Sequence, residues 1–168
     1  ERAVLVTELA ADPAAWALEL RELRIDGIVD VVPAAETVLV SCVDEVALAV
    51  VVDAVTGVRP ASAIETDGEV VEIPTRYDGP DLDAVAAATG LSTDAVIDAH
   101  SQAVYSVAFC GFAPGFAYLA GLDTRLHLPR RATPRTSVPA GSVAIADRFA
   151  AVYPRSSPGG WHLLGTTE

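Results

Sequence analysis

The chain contains no lysine; all eleven of its basic residues are arginine. That rules out a P-loop, whose glycine-rich turn must be followed by a lysine that reaches the phosphates. Cysteine is scarce, two in 168 residues. Cys42 and Cys110 both lie in apolar, strand-like runs, as expected of buried free thiols rather than a disulfide framework. This usage fits a reducing, cytoplasmic setting. The three histidines, His100, His127 and His162, are far apart, and none has ligand spacing with a second His or Cys, so no metal site is expected. There is no Gly-x-Ser-x-Gly elbow and no evident nucleophile–base pair. No apolar run approaches the roughly 18 residues of a membrane-crossing helix. The opening residues lack the basic-then-apolar order of a signal peptide. Positive charge is short overall: the net charge is −12, which argues against nucleic acid as a partner.

The charge is unevenly spread. Residues 1–74 carry four arginines against fifteen acids, and residues 75–168 carry seven against eight. Between residues 111 and 165 there are six arginines and two acids. The same stretch is dense in glycine and proline, in units such as Gly111-Phe112-Ala113-Pro114-Gly115-Phe116, Pro139-Ala140-Gly141-Ser142 and Ser157-Pro158-Gly159-Gly160-Trp161. Proline fixes φ, and glycine permits positive φ or close backbone approach. Loops specified this tightly suggest a binding surface.

An α+β chain of two domains is expected, 1–74 and 75–168. In the first, residues 3–9 form a strand. Asp12-Pro13 starts a helix with Trp16, Leu20 and Leu23 on one face, and Gly27 ends it. Strands follow at 28–32 and 37–43, a helix capped by Asp44 runs to about 55, and further strands are expected at 62–65 and 69–73. The order β-α-β-β-α-β suggests a ferredoxin-like unit. Pro74 to Pro80 reads as the linker. Two short helices come next, one ended by Gly90 and one capped by Ser92. Strands at 105–110, 142–146, 149–153 and 161–164, separated by Gly/Pro loops, then suggest a small barrel or sandwich. A closed barrel needs more strands than these, so a further segment, a partner or the N-terminal domain is expected to complete the sheet.

Arg130, Arg131 and Arg135 form a compact cationic group, with Arg130 and Arg135 each placed directly after a proline. Planar guanidinium forks suit carboxylate or phosphate; a solvated patch, or one paired with the acidic residues, is the alternative. Gly141 and Ser142, like Gly159 and Gly160, offer backbone N–H groups to a ligand, or else form tight turns. Phe112, Pro114 and Phe116 are candidates to line a pocket. His100 is the acid–base candidate, although its place near a helix end, where a positive charge is favourable, suits a structural role better. Asp123 and Asp147 are the acids within the glycine-rich segment.

These residues also carry a resemblance. Residues 111–119 (GFAPGFAYL), Pro129-Arg130, residues 134–143 (PRTSVPAGSV), Tyr153-Pro154 and residues 157–161 (SPGGW) resemble the allophanate hydrolase subunit 1 family. That family includes the B subunit of prokaryotic 5-oxoprolinase and the KipI-type inhibitors of a sensor histidine kinase. Residues 77–82 (YDGPDL) are similar to the family's entry into its second domain. The resemblance implies a small α/β domain followed by a cyclophilin-like β-barrel, and a likeness to the carboxyltransferase segment of urea carboxylase. It implies a hydrolase subunit in a hetero-oligomer with allophanate hydrolase subunit 2, the counterpart of the 5-oxoprolinase C subunit, and with the 5-oxoprolinase A subunit. Together they would open the lactam of 5-oxoproline to glutamate with ATP. Arg130 or Arg135 would suit the substrate carboxylate, and Gly141 and Ser142 would line the pocket. Kinase regulation and allophanate or urea hydrolysis are the other activities the resemblance implies.

Overall fold

The side chain of Asp12 accepts hydrogen bonds from the backbone N–H of Ala14 and Ala15, and Pro13 occupies the first turn of the helix that follows. This is the start that the sequence predicts, and it recurs through the computed structural model, which describes residues 2–9, 11–58 and 68–168. The chain divides into two units, Glu1–Asp67 and Gly68–Glu168.

In the first unit, β1 (Ala3–Val6), α1 (Pro13–Glu22), β2 (Ile28–Pro33), β3 (Val38–Cys42) and α2 (Glu45–Val55) follow in order. Asp44 caps α2 by accepting from the N–H of Ala47. The helix α1 ends at Glu22 rather than near Gly27, through Arg24 at φ 47°. The three strands form an antiparallel sheet in the order β1-β3-β2. On β3 the side chains of Val38, Val40 and Cys42 point inward, as period-2 alternation requires, and join Trp16, Ala17, Leu20 and Val51 in one core. The strand predicted at 62–65 lies outside the described residues. Residues 69–73 do not form the expected strand; they are exposed coil. The sequence Glu-Val-Val-Glu-Ile lacks the strict alternation that would give one apolar face.

The second unit opens with α3 (Leu82–Thr89), closed by Gly90 at φ 71°, and α4 (Thr93–Ser101), capped by the Ser92 hydroxyl. Then come β4 (Ser106–Cys110), β5 (Ala117–Ala120), β6 (Arg135–Val138), β7 (Ser142–Ala146), β8 (Phe149–Val152), β9 (Ser157–Gly159) and β10 (His162–Thr166). The sequence pattern does not predict β5, β6 or β9. The sheets are an antiparallel five-stranded one, β10-β7-β8-β5-β4, and a two-stranded one, β6-β9. Among the described residues there is no closed barrel: β4 and β10 end the large sheet on opposite sides and do not pair. Cys110 is exposed at the end of β4, against the expectation of two buried thiols, whereas Cys42 is buried. One core joins α3 and α4 to the sheet through Leu82, Val85, Val96, Leu126, Ile145 and Leu164.

The outer side of β10 is taken by the segment that leads into α3. Arg76 and Thr166 exchange backbone hydrogen bonds of 2.9 and 2.8 Å, Gly79 donates to the Leu164 carbonyl and Asp81 to the Leu163 carbonyl. Two glycines allow this approach. A Cβ on Gly79 would collide with the Leu163 carbonyl oxygen, and one on Gly165 with the Arg76 carbonyl oxygen. Both obstacles are backbone and cannot swing aside. We expect Gly79→Ala and Gly165→Ala each to cost about 2 kcal/mol or more. Gly68→Ala, with nothing within 4 Å of its Cβ, should stay within about 0.5 kcal/mol of the parent chain. Urea unfolding midpoints decide this; three equal midpoints would refute the close-approach account.

Candidate anion-binding site

Asp81 stands at the N-cap of α3, yet its carboxylate makes no capping bond. It turns away from the helix and accepts from Arg131 Nη1 at 2.5 Å, Arg135 Nη1 at 2.8 Å, Arg135 Nη2 at 2.9 Å and the Leu163 backbone N–H at 2.8 Å. Arg135 is thus bidentate, the strongest form of such a pair. The Asp81 side chain is 4% exposed, against 31% for Arg131 and 25% for Arg135. Burial works against the charge on Asp81. The Arg135 hydrogen bonds, the Leu163 N–H and the charges of both arginines outweigh it, and its carboxyl is held below the ordinary value.

Local structure explains why these arginines converge. Arg135 opens β6 directly after Pro134 and pairs in register with Gly159 on β9. The Arg131 backbone N–H donates to the Gly160 carbonyl at 2.8 Å. The segment around 129–135 is therefore laid against residues 159–160, and both guanidinium groups reach the seam where Asp81 meets Leu163. His162 secures the same contact from the other side, its Nε2 facing the Pro129 carbonyl at 2.9 Å. That carbonyl can only accept, so Nε2 carries the proton, and in the neutral ring Nδ1 is a bare acceptor. His162 Nδ1 and Arg131 Nε are buried without a hydrogen-bond partner.

Of the predicted site residues, the structure gathers Arg135, Gly159 and Gly160 around Asp81 and Arg131. Arg130, one residue away, points elsewhere: its side chain is 59% exposed, and its Nε lies a loose 3.8 Å from the Asp147 carboxylate. Gly159 has a structural reason to be glycine, since a Cβ there would collide with the Tyr153 hydroxyl. Gly141 and Ser142 do not offer free N–H groups. The Gly141 N–H bonds the Tyr153 carbonyl, the Ser142 N–H bonds the Pro139 carbonyl, and the Gly141 carbonyl accepts from Thr167. They form the turn into β7, a strand buried along its whole length. Phe116 is a core residue, edge-to-face with Tyr153 and Trp161. Phe112, at φ 65° and 61% exposed, leans on Phe116 from the surface, and Pro114 is exposed beside it.

His100 is buried, with Nδ1 2.8 Å from the Tyr77 hydroxyl, while the Tyr105 hydroxyl donates to its carbonyl. None of its hydrogen bonds or ring contacts is to an arginine. Burial pushes its pKa down to about 4, so the ring is neutral at pH 7, packed edge-on against Tyr77. A cavity of about 370 Å³ elsewhere in the unit is lined by Asp98, Gln102, Asp123 and Arg125 among others, and includes none of the predicted site residues. Among the described residues no group of three or more His, Cys, Asp or Glu side chains is placed to hold a metal ion, and no helix is long and apolar enough to cross a membrane.

Sequence reasoning misses Asp81, and it places Arg131 in the cationic group but gives the binding role to its neighbours. The Pro–Arg pairs draw attention to Arg130 and Arg135. The acid that organises the site lies fifty residues or more away in sequence, and nothing local marks it.

Residues 3–168 match the family described as carboxyltransferase domain, subdomain C and D, and the chain belongs to that family. It is 40% identical over 167 residues to the 5-oxoprolinase B subunit of Escherichia coli O157:H7, covering 95% of this chain and 76% of that protein. It is 48% identical over 110 residues to the 5-oxoprolinase B subunit of Bacillus subtilis (strain 168), covering 64% of this chain and 46% of that protein. The crystal structure of TTHA0988 matches with a TM-score of 0.77 at 39% identity, over 99% of this chain and 35% of that one. The chain thus spans about three quarters of one curated relative and about half of the other.

Two outcomes test this description. Asp81→Asn removes the charge that two guanidinium groups share and should cost about 3–5 kcal/mol, as breaking a buried pair from one side does; an unchanged guanidinium chloride midpoint would contradict it. The pH dependence tests His100. Its folded pKa lies below the unfolded one, so as pH falls from about 6.5 toward 4 the unfolded chain takes up a proton that the folded chain refuses. Stability should drop across that window, by on the order of 3 kcal/mol, and level off below it. His100→Phe should flatten the slope; a slope that survives the substitution assigns it to another group.

Proposed function

We propose that this chain serves as the B subunit of an ATP-dependent 5-oxoprolinase. The observation that carries this reading is the 40% identity to an enzyme subunit of that name across 95% of the chain. The reaction adds water across the lactam C–N bond of 5-oxoproline: the carbonyl carbon gains the hydroxyl, the ring nitrogen gains the proton, and glutamate results. Coupled hydrolysis of ATP to ADP and phosphate drives it. The chain contributes substrate binding and works with the A and C subunits of the complex in the cytoplasm. In this reading residues 1–74 are a ferredoxin-like module and residues 75–168 belong to a cyclophilin-like one.

Within that second module Arg135 is the principal anion-binding residue. Arg130, exposed and only loosely paired, draws the substrate in by its charge. Phe112 and Pro114 supply an apolar wall at the surface, with Phe116 packed behind them.

Reconstitution tests the reading. The complete gene product combined with the A and C subunits should hydrolyse ATP in a 5-oxoproline-dependent manner, and omission of this chain should abolish turnover. Arg130→Ala should raise the KM for 5-oxoproline a few-fold, more at low salt than at high salt, because an exposed charge acts through a screened field. Full activity without the chain, or hydrolysis of allophanate or urea in place of 5-oxoproline, would refute the assignment.

A further inference from the structure

The Asp81 cluster is unbalanced. Two guanidinium groups converge on one carboxylate, and that carboxylate is already filled. It accepts four N–H bonds, three from the arginines and one from Leu163, which matches its lone-pair capacity. The arginines are not filled. Each guanidinium carries five N–H donors. Arg131 spends Nη1 on Asp81, and its Nε has no partner. One unit of positive charge is left over, in a chain whose net charge is −12. The burial is lopsided in the same sense. Asp81 is 4% exposed while Arg131 and Arg135 are 31% and 25% exposed, so the acid is covered and it is the arginine side chains that reach solvent. The residues beside them on β9 and just after it, Gly159 and Gly160, carry no side chain to cover the cluster.

We infer that the outward faces of Arg131 and Arg135 form a seat for a single carboxylate of a small monoanionic substrate, and that the nucleotide phosphates bind elsewhere in the complex. This inference rests on the 5-oxoprolinase reading for the identity of the substrate. The stoichiometry of charge decides between the ligand classes. One carboxylate neutralises the surplus and fits a planar fork held in place from behind by Asp81. A triphosphate, even as its magnesium complex, would bring about two net negative charges to within a few ångströms of a buried carboxylate. It would leave roughly one of them unmatched, which is costly in a partly desolvated site. The chain has no lysine and no P-loop to offset that charge. Asp81 is a positioning residue: its bonds to Arg135, Arg131 and Leu163 fix both forks before the ligand arrives, which reduces the entropy lost on binding.

The test uses the reconstituted complex, with separate steady-state titrations of 5-oxoproline and MgATP, and with 2-pyrrolidinone, the same lactam without its carboxylate, as a competitor. Arg131→Gln should raise the KM for 5-oxoproline at least about tenfold and leave the KM for MgATP within about twofold. On the parent complex 2-pyrrolidinone should compete at least about a hundredfold more weakly than 5-oxoproline binds, a comparison that needs no variant to fold. An unchanged KM for 5-oxoproline in Arg131→Gln, a parallel rise in the KM for MgATP, or competition by 2-pyrrolidinone at the substrate's own concentrations would each overturn the seat. In those cases the enzyme reading survives as long as turnover depends on this chain. If instead the complex turns over no 5-oxoproline, the enzyme reading fails. The seat is then judged by calorimetry on the complete chain: binding of 5-oxoproline that Arg131→Gln weakens supports it, and no binding, or binding of inorganic phosphate in preference, overturns it.

Discussion

Asp81 ties together three stretches that are distant in sequence: the start of α3, the Pro/Arg-rich segment at 131–135, and the start of β10 at Leu163. A buried carboxylate costs several kcal/mol in lost hydration unless it is paired and hydrogen-bonded, and here every acceptor position is used. The cluster therefore imposes a constraint more than it adds stability. If α3, β6 or β10 shifted by an ångström or two, a charge would be left unmet. The glycines that flank the seam serve the same constraint. Gly79 and Gly165 let the chain approach β10 closely enough for Asp81 to reach Leu163, and Gly159 makes room for the Tyr153 hydroxyl under the strand that pairs with Arg135.

Structure and proposed function thus draw on the same residues. The arginines that satisfy Asp81 on one side are the groups that remain cationic on the other. Phe116 packs edge-to-face against both Tyr153 and Trp161, and the Tyr153 hydroxyl lies against Gly159, the β9 residue opposite Arg135. The glycine and proline content of residues 111–165, which on its face suggests a ligand surface, is largely explained by close approaches and turns within the chain. The binding surface is narrower than the segment that contains it.

What can be read from the sequence is what local chemistry writes. Asp12, Asp44 and Ser92 mark helix starts because a cap is decided within three residues. The period-2 pattern on β3 marks a half-buried strand. The family is legible because its glycine, proline and arginine motifs are long and ordered, and the match over residues 3–168 bears it out. The strands β5, β6 and β9 are illegible for the opposite reason. They are three or four residues long, and their existence depends on partners far along the chain. Residues 69–73 mislead because their valine and isoleucine content masks a broken alternation. Cys110 misleads because an apolar neighbourhood in sequence does not fix which side of an edge strand faces solvent. The site is half legible: Arg135 stands out behind its proline, while Asp81, an ordinary acid after a Gly-Pro turn, gains its meaning only from arginines fifty residues on.

The central claim is that the fold holds two arginines in place with a charge to spare, and that a small carboxylate takes it up. Thermal unfolding of the complete chain, titrated with 5-oxoproline at constant ionic strength, measures this directly, because a ligand that binds only the folded chain raises its melting temperature by mass action. The account predicts a saturating rise of several degrees, worth about 2.7 kcal/mol at a hundredfold excess over the dissociation constant. A melting temperature that stays flat over the whole titration would contradict it.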